Sequence, residues 1–125
     1  MAYDAGIAAG AQEWSESMLA TDKMEHSSGT GLGENLAWMG GSNVAKIMRT
    51  TPEATKMWYD EFINPGYDFA SPGFSYGTGH FTQVIWSTTT KLGCGSAGGY
   101  VTCRYDPPGN MNMPGYFEKN VLPLA

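Results

Sequence analysis

Long apolar runs, clustered basic residues and cysteine are all scarce in this sequence of 125 residues. No apolar run approaches the roughly 18 to 20 residues that span a bilayer, so no transmembrane segment is expected. Seven Lys and Arg residues, scattered singly, stand against twelve Asp and Glu residues. A net charge of −5 without a basic stripe argues against nucleic acid or an anionic membrane surface as the main partner.

Targeting signals are missing as well. The N-terminus lacks the basic segment and the following apolar stretch of a signal peptide, and no Asn-x-Ser/Thr sequon occurs. We therefore expect either an intracellular protein or a secreted chain in mature or trimmed form. The only cysteines are Cys94 and Cys103, and their pairing state bears on this choice because disulfides persist in oxidising compartments.

The segment 91–105 predicts a β-hairpin that brings the two cysteines together. If Gly98-Gly99 forms a two-residue turn, Cys94 lies opposite Cys103 in a non-hydrogen-bonded pair, where the Cα atoms are close enough for a disulfide. Two buried free thiols are the alternative, and a metal pair is disfavoured because further Cys or His ligands are absent nearby. The same register predicts one apolar face, made of Leu92, Cys94, Val101, Cys103 and Tyr105.

Apolar periodicity predicts helices elsewhere. The first is amphipathic and covers residues 3–19. The second begins at Thr51-Pro52-Glu53, where a capping residue precedes Pro, and runs to about Ile63. The expected core stripes are Ile7, Ala11, Trp14 and Met18 in the first helix and Ala54, Met57, Trp58 and Phe62 in the second. Residues 34–39 predict a short strand, stopped by Gly40-Gly41.

A short helix is predicted over residues 79–86, capped by Thr78 and directing Phe81, Val84 and Ile85 to a core. His80 then lies in the first turn on the opposite face. The positive end of the helix dipole disfavours the imidazolium there, which leaves a neutral ring suited to a metal ligand or a base. A hydrogen-bonded structural histidine is the competing interpretation.

Other ionisable side chains lie at the edges of apolar elements. His26 is in a loop rich in Gly and Ser, Glu34 opens the predicted strand, and Glu61 borders the stripe of the second helix. Glu61 can alternatively reach past that stripe to water or to a lysine. Spacing along the sequence does not by itself bring these side chains and His80 together.

Several segments of this sequence resemble the CAP superfamily, which comprises the cysteine-rich secretory, antigen 5 and pathogenesis-related 1 proteins. These segments are GHFTQVIW at 79–86, VTCRYDPPGN at 101–110, GENLAW at 33–38 and WYDE at 58–61. Residues 72–81 and the ending FEKNVLP at 117–123 are most similar to the Golgi-associated plant pathogenesis-related protein type. That type lacks the cysteine pair found here, and CAP proteins usually carry more sequence before and within the first helix. The chain is accordingly expected to be a single CAP domain over 1–125 that lacks part of the usual N-terminal segment.

The resemblance implies an α+β fold, a three-layer α-β-α sandwich around a small antiparallel sheet. It also implies a central cleft with two His and two Glu, which fall on His26, Glu34, Glu61 and His80. The two His are the expected ligands of zinc or another divalent ion, with the carboxylates nearby.

The function implied by the resemblance is a binding module for a metal ion and for a sterol or other lipid, in defence or signalling. Exposed loop aromatics are candidates for an apolar groove, although they can equally anchor the loop to the core. They are Tyr67, Phe69, Phe74 and Tyr76. An extracellular location is expected, with a Golgi-membrane-associated, intracellular one as the alternative.

Two other functions are weaker. A hydrolase would use zinc-bound water with Glu34 or Glu61 as general base, but two His are fewer than the three protein ligands of usual catalytic zinc sites. A serine triad through Ser27, Ser71 or Ser75 lacks a nucleophile elbow. A scaffold acting by self-association, for example as a homodimer, is compatible with the acidic charge. The protein is therefore expected to bind rather than to catalyse.

Overall fold

The structure is a computed structural model that describes residues 1–38 and 51–123 and the side chains of all of these except 51–53. The elements in chain order are β1 (Ala2–Tyr3), α1 (Ala5–Thr21), β2 (Gly33–Trp38), α2 (Thr51–Tyr59), a 3₁₀ turn (Asp60–Phe62), α3 (Gly79–Ile85), β3 (Lys91–Ala97), β4 (Tyr100–Asp106) and α4 (Tyr116–Asn120). The predicted strand is confirmed as β2, while its last residue, Met39, and the Gly40-Gly41 stop lie outside the described residues.

The sheet has the strand order β1-β3-β4-β2. Its β2, β3 and β4 strands are antiparallel as expected, whereas the short β1 adds a parallel pair with Lys91 and Leu92. The predicted hairpin register is confirmed, because Ala97 pairs with Tyr100 and Cys94 pairs with Cys103. The two cysteines form a disulfide with their Cα atoms 4.1 Å apart, so the alternative of two free thiols is wrong.

Helix α1 covers one face of the sheet. It starts two residues later than predicted because Asp4 caps it, accepting a hydrogen bond of 2.9 Å from the Ile7 N–H, and the preceding residues form β1. On this face Gly93 and Gly95 let the helix approach the strand closely: a Cβ atom at Gly95 would lie 2.4 Å from the Gln12 Cα. Glycine here is therefore a packing requirement.

The side chain of Gln12 also bonds the backbone of β3. Its Nε2 donates to the Ser96 carbonyl at 2.8 Å, and its Oε1 accepts from the Ser96 N–H at 2.9 Å. Among the described residues, β1 pairs with β3 only at Lys91 and Leu92, so Ser96 lies on a part of the strand that no other strand covers on that side. A side-chain amide takes the place of a strand at this position.

Helices α2 and α3 form the third layer, on the opposite face of the sheet. The predicted apolar face of the hairpin packs there against Ala54 and Trp58, which are fully buried. The prediction that Met57 faces the core is wrong, since Met57 is 42% exposed. The predicted helix from Thr51 to Ile63 is also shorter, because the chain tightens into the 3₁₀ turn after Tyr59 and thereby changes the direction of the side chains that follow.

Helix α3 forms where the motif predicts it, but its start differs in detail. The Thr78 side chain makes no capping bond, and its buried Oγ1 has no partner among the residues that the structure describes. The Thr78 carbonyl begins the helix by accepting from the Thr82 N–H at 3.0 Å. Phe81 is buried, and Ile85 is partly buried. The chain ending packs back on the domain through Phe117 and Val121, which join the cluster around Phe81 and Trp86.

Candidate functional site

Two His–Glu pairs lie near the start of strand β2, on opposite faces of the sheet. On the α1 side, His26 Nδ1 lies 2.8 Å from Glu34 Oε1, and the Ser27 N–H donates to the same oxygen at 3.0 Å. The loop thus folds back over the first residues of β2, and Glu34, with 7% of its side chain exposed, holds both His26 and Ser27 in place.

Arg104 completes the surroundings of Glu34. The two residues pair across β2 and β4, so their side chains lie on the same face of the sheet, and Arg104 Nε donates to Glu34 Oε2 at 3.1 Å. Arg104 Nη2 also donates to the Ser27 hydroxyl at 3.0 Å, and that hydroxyl in turn donates to Glu34. Gly10 of α1 leaves room for the guanidinium, since a Cβ there would lie 3.0 Å from Nη1.

The second pair comes from the other layer. His80 Nδ1 lies 2.8 Å from Glu61 Oε2, and the Phe81 N–H donates to Glu61 Oε1 at 2.9 Å. The 3₁₀ turn presents Glu61 to α3, and the His80 ring stacks on Trp58 with ring centroids 5.9 Å apart. Glu61 therefore has a defined partner, and the interpretation that it reaches to water or to a lysine does not hold.

The two pairs share one design. In each, a single carboxylate binds both the Nδ1 of a histidine and the backbone N–H of the next residue. A neutral imidazole that donates Nδ1–H to a carboxylate carries its lone pair on Nε2. Both histidines are thus held in the tautomer in which Nε2 can accept a proton or bind a metal ion.

A cavity of about 220 Å³ joins the two histidines. Among the residues that line it are His26, Glu34, His80 and two asparagines, Asn35 and Asn110. Asn35 donates to the His80 carbonyl at 3.1 Å and Asn110 donates to the Gly79 carbonyl at 2.8 Å, so both fix the start of α3. Glu61 is not a lining residue and reaches the cavity only through His80.

The four loop aromatics are divided between two environments. Phe74 and Tyr76 line the His/Glu cavity and remain 46% and 95% exposed. Tyr67 and Phe69 pack against Phe81 in the core cluster, so the loop-anchoring interpretation holds for this pair. Phe69 also lines a separate apolar pocket of about 310 Å³, together with Tyr59, Phe62, Phe81, Ile85 and Leu122. We call this the aromatic pocket.

The pKa values around Glu34 reflect its partners. Burial raises the pKa of Glu34, but hydrogen bonds from His26, Ser27 and Arg104 together outweigh it and hold the pKa at about 2. The hydrogen bond to Glu34 raises the pKa of His26 above its ordinary value, against the opposing effect of its burial. Because a lowered carboxyl pKa stabilises the fold only while the group is ionised, this contribution is complete above the unfolded-state pKa, near 4.3, and is lost as the pH falls towards 2.

We therefore expect the free energy of unfolding to fall by about 2 to 3 kcal/mol between pH 5 and pH 2 through Glu34 alone. Urea unfolding across that range measures it. The variant Glu34→Gln should show a flatter acid limb than the wild type, whereas Glu13→Gln, a change of an exposed residue in α1, should leave the limb unchanged. An equally steep acid limb in Glu34→Gln would contradict the assignment.

The donor set for a metal ion is limited. Within the described residues there is no group of three or more His, Cys, Asp and Glu side chains arranged to hold a metal ion. Glu34 also lines the cavity but is engaged with His26, Ser27 and Arg104, which leaves the two imidazoles as donors. The serines considered for a triad are not placed for it either. Ser27 is engaged with Glu34 and Arg104, and no serine side chain in the described part of the chain bonds either histidine.

Sequence reasoning missed Arg104, Asn35, Asn110 and the position of Phe74 and Tyr76. The register of β2 against β4, which pairs Glu34 with Arg104, was the signal that could have identified Arg104. The two asparagines lie inside motif segments at 33–38 and 101–110, but their partners are backbone carbonyls, which a residue pattern does not specify.

Fold and cleft together define a small α-β-α sandwich with paired His and Glu side chains at one end of its sheet. Comparison with known families agrees with this class, because the pattern of the "Cysteine-rich secretory protein family" (CAP) matches residues 1–105. The chain belongs to the CAP family. Within the described residues, no helix has both the length and the apolar character needed to cross a membrane.

Individual relatives support the same assignment. The human Golgi-associated plant pathogenesis-related protein 1 is 43% identical over 121 residues, which cover 90% of this chain and 73% of the relative. Pathogenesis-related protein 1C of Nicotiana tabacum is 35% identical over 116 residues, covering 89% of this chain and 66% of the relative. The expected similarity to the Golgi-associated type is confirmed.

Among solved structures, the crystal structure of NaASP2 with Zn²⁺ superposes with a TM-score of 0.71 at 30% identity. The match covers 94% of this chain and 65% of NaASP2. The chain thus spans somewhat less than two thirds of that protein's length. The similarity confirms the three-layer α-β-α fold.

Proposed function

We propose that this CAP domain is a binding module whose cleft holds a divalent metal ion, zinc foremost, between His26 and His80. The observation that carries this proposal is that both imidazoles line the same cavity and each bonds a carboxylate through Nδ1, which leaves the lone pair of the neutral ring on Nε2. Carboxylate partners orient zinc-binding histidines and raise their basicity. The similar protein NaASP2, crystallised with Zn²⁺, supports the choice of metal.

The donor set fits a weakly held ion better than a catalytic centre. Catalytic zinc sites have three protein ligands and an open position, whereas two imidazoles leave two or more positions to water. A bound zinc ion would polarise such water. Glu34 and Glu61, the candidate general bases, are both occupied by Nδ1 and backbone N–H donors. These carboxylates orient the imidazoles, which favours binding over hydrolysis.

The aromatic pocket supports the second part of the proposal, which is that the domain binds a sterol or another lipid. Its walls are rings and aliphatic side chains, and Tyr59, Phe62 and Phe81 pack on one another with ring centroids 5.4 to 5.7 Å apart. A cavity of about 310 Å³ is within the range of small-molecule sites and can take part of a sterol or one acyl chain.

The disulfide bears on the cellular location of the protein. The Cys94–Cys103 bond favours an oxidising environment, so we propose an extracellular or secretory-pathway location. The name of the human Golgi-associated relative keeps attachment to the Golgi membrane as the alternative.

Calorimetric titration of zinc into metal-free protein at pH 7.5 tests the metal site. We expect about one equivalent to bind with a dissociation constant in the micromolar range or weaker, because two imidazoles supply fewer bonds than the four of a structural site. His26→Ala and His80→Ala should each abolish the binding, while Glu16→Gln, a change of an exposed residue in α1, should leave it intact. Binding that is indifferent to either histidine would refute the site.

Lipid binding has a separate test in which the metal variants serve as controls. Capture of a radiolabelled sterol should fall at least about tenfold in Leu122→Asp, because the new carboxylate would be desolvated against the ligand. Leu122 is 53% exposed, so the variant should fold, and the comparable change Ile63→Asp, at a residue 68% exposed that does not line the pocket, should have no effect. His80→Ala should bind sterol normally. Equal capture by both Asp variants would show that the aromatic pocket is not the site.

A further inference from the structure

A third pocket, which shares no lining residue with the His/Glu cavity or the aromatic pocket, lies between the loop after β4 and helix α4. It has a volume of about 440 Å³, and its apolar wall includes Pro107, Pro108, Met111 and Trp86. We call it the proline pocket. Neither histidine and no residue of the aromatic pocket lines it, so it is a different site from those assigned to metal and sterol.

The loop that forms this pocket is anchored rather than loose. The Thr89 hydroxyl donates to the Pro107 carbonyl at 2.9 Å, and the Gly109 N–H donates to Gln83 Oε1 at 2.8 Å. A Cβ atom at Gly109 would lie 2.6 Å from Gln83 Nε2 and 2.9 Å from the Trp86 ring, so the loop sits directly on buried side chains. The apolar wall is therefore pre-formed, which lowers the ordering cost of binding.

The polar groups around the proline pocket differ in whether the protein itself already binds them. Asn120 is held within the protein, since its Oδ1 accepts from Ser87 and from the N–H and hydroxyl of Thr88, and its Nδ2 donates to the Tyr116 carbonyl. That network also engages the Thr88 hydroxyl. The Asn120 side-chain oxygen is thus already satisfied by the protein itself.

Donors, in contrast, are left over. The indole N–H groups of Trp14 and Trp58 donate to carbonyls, whereas that of Trp86 has no partner among the described residues. Trp86 is 2% exposed and lines the pocket. Lys119 also lines the pocket, and no described carboxylate lies within ion-pairing distance of it.

We infer that the proline pocket binds a small organic anion with a flat apolar body, of the aromatic monocarboxylate class, with its carboxylate towards Lys119 and Trp86. Apolar walls bind the body of such a ligand, and the positive charge of Lys119 together with the Trp86 N–H favours an anionic head over a neutral amide or a cation. The pocket volume accommodates a bicyclic ring with room to spare.

Nuclear magnetic resonance titration with 2-naphthoate tests this inference, with the neutral 2-naphthamide as the matched ligand. We expect 2-naphthoate to shift the Trp86 indole N–H resonance and the Thr88 and Met111 amides, and to bind about fivefold more tightly than 2-naphthamide, the ratio of one good charge-assisted contact. Lys119→Met should weaken 2-naphthoate about fivefold and leave 2-naphthamide unchanged. Lys23→Met, which removes the charge of another exposed lysine outside the pocket, should alter neither.

Trp86→Phe removes the second proposed hydrogen-bond donor to the ligand. Because Trp86 is buried, this variant can fail to fold, and Lys119→Met is then the decisive variant. The inference is overturned if 2-naphthoate does not bind or if the two ligands bind equally. It is also overturned if Lys119→Met binds 2-naphthoate as the wild type does, or if the shifted resonances belong to Tyr59, Phe69 and Leu122. Zinc and sterol binding play no part in these readouts.

Discussion

Alanine at position 95 should destabilise the domain by at least about 3 kcal/mol, the upper part of the range for overpacked sites. The added methyl group would lie 2.4 Å from the Gln12 Cα and 2.5 Å from the Gln12 N, which are backbone atoms of α1 and cannot move aside like a flexible side chain. Relief requires the whole helix to lift from the sheet. That movement also disturbs the packing of Met18 against Leu36 and Tyr100 on the same face.

Thermal and urea unfolding measure this effect, and we expect the melting temperature to fall by about 10 °C or more for a domain of this size. Gly73→Ala is the matched control, because a Cβ at Gly73 meets no atom within 4 Å and its backbone is not left-handed. It should change stability by less than about 0.5 kcal/mol. A loss below about 1 kcal/mol in Gly95→Ala would mean that α1 lies farther from β3 than the structure places it.

Arg104→Met should cost about 3 to 5 kcal/mol, because it leaves the ionised Glu34 buried without its guanidinium partner. The side chains of Arg104 and Glu34 are 10% and 7% exposed, so water compensates little for the lost contact. The surface pair of Lys56 and Asp60, with side chains 76% and 43% exposed, gives the contrast. Lys56→Met should change stability by less than about 1 kcal/mol.

A double-mutant cycle separates the pair from its surroundings. The variant that combines Arg104→Met with Glu34→Gln should lose about 2 kcal/mol less stability than the two single variants lose together, because the double variant leaves neither charge buried without its partner. Additive losses in urea unfolding would indicate that the two side chains do not interact. The same variants report on the loop, because Glu34 and Arg104 both bond Ser27.

Local signals in the sequence specify much of this fold. Gly98-Gly99 sets the hairpin turn, and the count of residues on either side of it is enough to place Cys94 opposite Cys103 and to predict their disulfide. Thr51 and Pro52 likewise mark the start of α2. These predictions succeed because each depends on residues that are close in sequence and on the fixed geometry of one element.

The candidate site is only partly accessible in this way. The grouping of the two His and two Glu residues in one cleft was predicted from the family resemblance and not from their spacing. Glu61 and His80 meet only because the 3₁₀ turn packs against α3, and His26 meets Glu34 only because a loop folds over β2. Arg104 depends on strand pairing across 70 residues of sequence. Thr78 fits the pattern of a side-chain cap, yet its hydroxyl makes no such bond in the tertiary structure. Such outcomes depend on packing between elements, which residue patterns do not encode.

The contact between Gln12 and Ser96 bears on whether the edge of β3 can pair with a strand of another chain. An uncovered strand edge presents backbone donors and acceptors that a strand of another chain can bind, and this is a common route to aggregation. The Gln12 amide satisfies both the N–H and the carbonyl of Ser96, so the edge of β3 offers an incoming strand no free pair of groups at that position. One residue of α1 thereby blocks this part of the β3 edge from pairing with a strand of a second copy of the chain.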